Sequence, residues 1–253
     1  MGVLTEFARG MHPALWGGAM GLAGAGLGGI IGVLVGKPGP RLFSCLINAT
    51  GGLMLGVSCF DLLPGAYALS AGWGLLGLLL GVAMMLGADL LAQRHARRAA
   101  HPARGGAMRR TGLLVALGIA LHNLPEGLAI GSGYAEAPAL GITLGVLIAL
   151  HDIPEGIAMA VPLRAAGMGA LPVLATALLS GLPTGLGAYL GLLAGGVSQQ
   201  MIALCLGLAG GAMLQITAQE MIPSAGELYA GWDANLMLAL GVAAASAVTL
   251  VLH

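Results

Sequence analysis

Residues 139–161 read ALGITLGVLIALHDIPEGIAMAV, and residues 111–133 read TGLLVALGIALHNLPEGLAIGSG. Each run is 23 residues of apolar and small side chains, interrupted near its middle by one polar hexapeptide. The insert is His122-Asn123-Leu124-Pro125-Glu126-Gly127 in one and His151-Asp152-Ile153-Pro154-Glu155-Gly156 in the other. A membrane-crossing helix needs about 20 mostly apolar residues. Both runs therefore predict transmembrane helices that hold carboxylates at membrane depth.

Six further apolar stretches surround them, at roughly 14–36, 42–63, 72–92, 169–194, 199–222 and 231–252. The expected fold is an all-α polytopic membrane protein, with eight transmembrane helices in a single domain over residues 1–253 and short loops. Composition points the same way. The 253 residues are 58% hydrophobic and 8% charged, with a mean hydropathy of +0.93, whereas soluble domains carry about 25% charged residues. A soluble globule, a disordered chain and a coiled coil are excluded, and the lipid bilayer is the first partner. Ten acids balance ten bases and no basic stripe tracks a groove, so no nucleic-acid partner is expected. Cys45, Cys59 and Cys205 stand singly in apolar runs, which gives neither a disulfide framework nor a CxxC zinc site. The 45 glycines suit close approach of membrane helices. The first stretch is too long for a signal-peptide core and is read as a span.

Lysine and arginine placement sets the orientation. Lys37, Arg41, Arg94, Arg97, Arg98, Arg104, Arg109, Arg110 and Arg164 fall on one side of an eight-span chain, and only Arg9 on the other. The first side is expected to be cytoplasmic, with both termini outside.

Glu126, Asp152 and Glu155 lie mid-span, and Asp61 and Glu220 lie near span ends. Three ionised carboxylates at the bilayer centre cost roughly 8–10 kcal/mol on the insertion scale. No lysine or arginine occurs in these central regions, so the countercharge has to be protons or a bound metal cation. The histidines favour the metal. In each hexapeptide His and Glu are four apart and share a helix face, with Asn123 or Asp152 on the adjoining arc. Pro125 and Pro154 free the carbonyls of Leu121 and Leu150 and are expected to kink their helices. Irregular backbone at this depth is tolerated where it is buried or lines a cavity. Two such helices form a nitrogen and oxygen cage suited to zinc or another first-row divalent ion. A membrane histidine alone is commonly a packing residue; here the whole hexapeptide recurs 29 residues later in a helix running the opposite way.

A second echo lies further out. Asp61-Leu62-Leu63-Pro64-Gly65-Ala66 and Glu220-Met221-Ile222-Pro223-Ser224-Ala225 share the order acid, two apolar residues, proline, small residue, alanine. Together the two echoes predict an inverted repeat of spans 1–3 and 6–8 around spans 4 and 5, an arrangement typical of secondary transporters.

At the paired hexapeptides the chain resembles the ZIP family of zinc- and iron-type metal transporters, nearest its GufA-like bacterial branch. The resemblance implies import of divalent metal, most of all zinc, into the cytoplasm through a binuclear site between spans 4 and 5. It further implies a homodimer in the bacterial inner membrane, and an elevator-type shift of spans 1, 4, 5 and 6 against 2, 3, 7 and 8. Zinc is then the transported substrate; the same ligand types accept iron(II), manganese, cobalt and cadmium. Carried over by position, His122, Glu126, His151 and Glu155 resemble the first metal site, with Met54 as a further thioether ligand. Asn123, Glu126, Asp152 and Glu155 resemble the second, and Asp61 the outer entrance. One departure is Thr184, in Ser180-Gly181-Leu182-Pro183-Thr184-Gly185, where many relatives carry a glutamate. It implies that the first site transports and the second is auxiliary. An intramembrane metal-dependent hydrolase is disfavoured because no HExxH helix occurs. A proton-coupled organic solute carrier leaves the two histidines unexplained.

Overall fold

The computed structural model describes residues 12–35, 39–98 and 104–252, and these are helical with no strand among them. In chain order α1 is Pro13–Val35 and α2 is Pro40–Val57, which passes through a π-helical turn, Ser58–Leu62, into α3, Leu63–Arg98. There follow α4 (Arg104–Glu136), α5 (Pro138–Ala165), α6 (Ala170–Gly195) and α7 (Gln199–Ile216). A second π-helical turn, Thr217–Met221, leads into α8 (Ile222–Leu228), and α9 is Trp232–Leu252. Proline fits a first helical turn, where its missing N–H has no partner to lose, and Pro40 and Pro138 each open a helix behind an extended Gly39 or Ala137. Ser198 caps α7 by accepting from the Met201 amide at 3.3 Å. After α5 the chain turns through Gly167, whose φ of 85° favours glycine.

Among the described residues five helical runs are long and apolar enough to cross a membrane: Pro13–Val35, Pro40–Leu90, Pro138–Arg164, Ala170–Gly195 and Gln199–Leu228. The 51 residues of Pro40–Leu90 would measure about 76 Å if straight, over twice a hydrocarbon core. They are not straight: Ser70 has extended dihedrals, φ −166° and ψ 104°, and divides α3. Apolar side chains face outward while charge is buried. Leu34 and Leu171 are 79% and 78% exposed, whereas Glu126 and His151 are fully buried. This is the surface of a multi-pass membrane protein, with lipid as the solvent for leucine.

Helices meet backbone to backbone on glycines. A Cβ on Gly156 would lie 2.5 Å from the Ala25 carbonyl oxygen and 2.9 Å from Gly28 Cα, and one on Gly127 would strike the Thr184 carbonyl. The glycine that ends each hexapeptide is thus the point where α5 docks on α1 and α4 docks on α6. The most extensive packing joins α3 to α7, α4 to α6, α1 to α5 and to α6, α2 to α9, and α4 to α5. These pairings gather α1, α4, α5 and α6 into one group and leave two pairs, α3 with α7 and α2 with α9; α2 also packs on α8, the continuation of α7, so the two pairs make a second, looser group. Contacts of α4 with α7 and of α2 with α5 join them.

Irregular turns are found outside the two hexapeptide helices. Both α4 and α5 run as single helices past Pro125 and Pro154. Widened turns occur instead before Pro64 and Pro223, where the Leu63 amide donates to Ser58 and the Ile222 amide to Thr217, each five residues back. A proline ring clashes with the carbonyl four residues before it, and one extra residue in the turn moves that carbonyl aside.

Candidate metal centre

Glu126 on α4 and His151 on α5 face each other, with Nε2 of the imidazole 2.8 Å from Oε1 of the carboxylate. Asp152 Oδ1 lies 3.4 Å from the same nitrogen. One ligand atom from each of Glu126, His151 and Asp152 lies within 4.8 Å of the others. All three are buried to within 1%. The group draws on residues expected in both metal sites: Glu126 and His151 of the first, Asp152 of the second.

Around it stand polar atoms with unspent capacity. Asn123 Nδ2 donates to the Ser180 carbonyl of α6 at 2.8 Å, which fixes the amide. Asn123 Oδ1, Glu126 Oε2, His151 Nδ1 and Thr184 Oγ1 are buried without a hydrogen-bond partner among the described residues. An unsatisfied buried polar atom costs about 1–3 kcal/mol, so four in one neighbourhood point to a ligand. The donors are imidazole nitrogen, carboxylate and amide oxygen, and hydroxyl, a set suited to zinc and other borderline divalent ions.

The remaining expected residues are spread around this centre. The side chain of His122 lies outside the described residues. Glu155, 6% exposed, lines a cavity of about 510 Å³ together with Pro154, Ala158, Ile119, Phe43, Ile47, Glu220 and Glu227. Met54 is fully buried, and its sulfur takes a 3.8 Å contact from the Thr217 hydroxyl. Asp61 sits in the first π turn, 6% exposed, and accepts a 2.6 Å hydrogen bond from Thr249. Thr184 is fully buried against α1 at Gly21.

In the sequence Glu220 stands out as an acid near a span end and as an echo of Asp61, whereas Glu227 does not stand out at all. Positions 220, 224 and 227 recur at helical spacing, and all three line the cavity; that periodicity was the available signal. Two residues before the cavity-lining Phe43, Arg41 Nε is 2.6 Å from Asp233 and its guanidinium lies 5.9 Å from the Tyr229 ring centre. Ser44 Oγ is 2.8 Å from the carbonyl oxygens of both Ala225 and Tyr229.

Similarity to known proteins follows the same residues. A family profile described as ZIP Zinc transporter matches residues 91–249, which include both hexapeptides. The zinc transporter GufA of Myxococcus xanthus is 41% identical over 147 residues, 58% of this chain and 58% of that protein. The zinc transporter ZupT of Corynebacterium glutamicum is 35% identical over 225 residues, covering 81% of this chain and 85% of that one. ZupT of Stenotrophomonas maltophilia is 34% identical over 241 residues, covering 88% and 89%.

Proposed function

The chain belongs to the ZIP zinc transporter family, and we propose that it carries divalent metal ions, zinc foremost, into the cytoplasm through a site between α4 and α5. The observation that carries this is the convergence of fully buried Glu126, His151 and Asp152 from α4 and α5. Ionised carboxylates at that depth are costly, and a divalent cation neutralises them while replacing their hydrogen-bond partners. The loaded cage is then cheaper to move past hydrocarbon than the empty ionised one. His122, Glu126, His151 and Glu155, with Met54, form the transport site. Asn123, Glu126, Asp152 and Glu155 form an auxiliary second site, weakened because Thr184 offers a hydroxyl in place of a carboxylate. Asp61 marks the outer entrance. Iron(II), manganese, cobalt and cadmium compete for the same donors.

The domain is one unit over residues 1–253 with eight spans: α1, α2 with the start of α3 up to the Ser70 break, α3 beyond it, α4, α5, α6, α7 with α8, and α9. Both termini lie outside the bacterial inner membrane, and the protein is a homodimer. Two features support an inverted repeat of spans 1–3 and 6–8. Exchanging the spans of one triplet for those of the other, and α4 for α5, maps the principal helix pairings onto themselves. Both π turns also fall at matching places, one before Pro64 and one before Pro223. The division into two helix groups supports an elevator in which α1, α4, α5 and α6 move together. The 510 Å³ cavity reaches Glu155 from the end of the molecule where Phe43 follows Arg41 and Ala158 precedes Arg164. It is the inward route, with Glu220 and Glu227 along it.

Zinc influx into proteoliposomes holding a zinc-sensitive dye tests this, with wild type set against Glu126→Ala plus Glu155→Ala. Flux in wild type and none in the double variant is the expected result. Equal flux in both would place the pathway elsewhere.

A further inference from the structure

The cavity that reaches Glu155 has more apolar wall than the passage of a hydrated ion needs. Most of its lining is apolar, Phe43, Ile47, Ile119, Pro154 and Leu228 included, and no lysine or arginine lines it. Its volume of about 510 Å³ falls within the roughly 300–1,000 Å³ of small-molecule sites, which are mostly apolar with a few placed polar groups. Three of the lining residues are acids, Glu155, Glu220 and Glu227, and they are not gathered as a metal would need them. Among the described residues, the three whose ligand atoms lie within 4.8 Å of one another are Glu126, His151 and Asp152. Dispersed carboxylates over apolar walls match instead a cation of single charge with a hydrocarbon body. Glu227 stands at the apolar end. Ser44 Oγ, 2.8 Å from the carbonyl oxygens of Ala225 and Tyr229, sets the start of α2 beside α8. Phe43 adjoins Ser44, Ile47 follows Phe43 by four residues on the same helix face, and both line the cavity with Glu227. The Glu227 side chain is exposed and pairs with no cation among the described residues. Ile119 and Pro154 come from α4 and α5, so the walls belong to both helix groups.

We propose that this cavity binds an amphipathic organic monocation, a primary ammonium on an apolar body. The ammonium donates to Glu227 in a charge-assisted hydrogen bond. The body lies between the wall of Phe43 and Ile47 and the wall of Ile119 and Pro154, and its removal from water supplies the apolar part of the affinity. An occupant held by both walls favours the arrangement of the two helix groups seen here over any other. It therefore stops transport as a wedge, without competing for Glu126, His151 and Asp152. The wedging rests on the proposed transport function; the binding does not.

The probe is 4-phenylbutylamine, titrated calorimetrically into the zinc-free full chain in lipid nanodiscs, with protein-free nanodiscs as the blank. Saturable binding is expected. The neutral analogue 4-phenylbutan-1-ol is expected to bind at least about tenfold more weakly, having lost the charged hydrogen bond. Glu227→Gln is expected to weaken the amine roughly three- to tenfold, the effect of one charged hydrogen bond discounted for an exposed carboxylate. Glu227→Asp, which keeps the charge, stays near the wild-type affinity. In proteoliposomes the amine lowers zinc flux over the concentrations at which it binds, and Glu227→Gln shifts binding and inhibition by the same factor. Heat no greater than the blank, equal affinity for amine and alcohol, or unchanged affinity in Glu227→Gln overturns the site. A zinc-binding event lost in Glu227→Gln while the amine still binds makes the cavity a metal site instead. Binding with no effect on flux overturns the wedge. A wild type that binds the amine but moves no zinc overturns the transport function and leaves the binding site standing.

Discussion

Glu126 and Asp152 touch the same imidazole nitrogen, at 2.8 and 3.4 Å, but they are not equivalent as ligands. Glu126 is shared by both proposed sites, whereas Asp152 serves only the auxiliary one. Glu126→Gln is therefore expected to cut zinc flux at least about a hundredfold, beyond the 10–100-fold typical of an outer-sphere partner. Asp152→Asn is expected to cost under about tenfold and to abolish only the weaker event in a calorimetric zinc titration. Two equal tight events in wild type would show that Thr184 does not weaken the second site. Glu126, His151 and Asp152, which the structure brings together, stood out in the sequence because carboxylates and a histidine in apolar helices are costly to bury without a cation. Thr249 was not legible. A threonine in an apolar run usually bonds its own helix backbone, as Thr50 does to Leu46 at 3.0 Å, and nothing local distinguishes one that also reaches across to Asp61.

The docking of α5 on α1 depends on glycines at four-residue spacing. Gly24, Gly28 and Gly32 of α1 face Ala149, Asp152, Ile153, Gly156, Ile157 and Ala160 of α5. Gly156→Val would push a branched side chain into the backbone of Ala25 and Gly28, neither of which has a side-chain rotamer that could yield. Overpacking typically costs 1–3 kcal/mol, and here the helices have to part, so a loss at or above about 3 kcal/mol is expected. Melting of the purified protein in detergent, followed by size-exclusion fluorescence, reads it as a lowered midpoint or lost peak. Gly87→Val, where an added Cβ meets nothing within 4 Å, should stay close to wild type. Glycine density announced close packing, but not which helix meets which, because spacing alone names a face and not its partner. The π turns were hidden for a related reason. Proline in a helix predicts disturbance, and only the surrounding packing decided that Pro64 and Pro223 would widen a turn while α4 and α5 pass Pro125 and Pro154 unbroken.

The elevator reading depends on which helices move as a body. Helices α4 and α5, which carry the buried cluster of Glu126, His151 and Asp152, pack on α1 and α6, and reach the other group through narrower contacts with α7 and α2. A shear along that boundary leaves the glycine seams intact, whereas motion of α4 and α5 alone would tear them. The cavity straddles the boundary: Phe43 comes from α2, Ala158 from α5 and Leu228 from α8. A short bifunctional methanethiosulfonate joining Phe43→Cys to Ala158→Cys, in a background lacking the native cysteines, ties one group to the other. Joining Phe43→Cys to Leu228→Cys places the same linker in the same cavity but within one group. The first cross-link is expected to stop zinc flux, with recovery on reduction, and the second to leave most of it. If both stop flux, the linker merely blocks the inward route. If neither does, the two helix groups do not move as rigid bodies against each other, and the metal passes through a pathway that opens without an elevator.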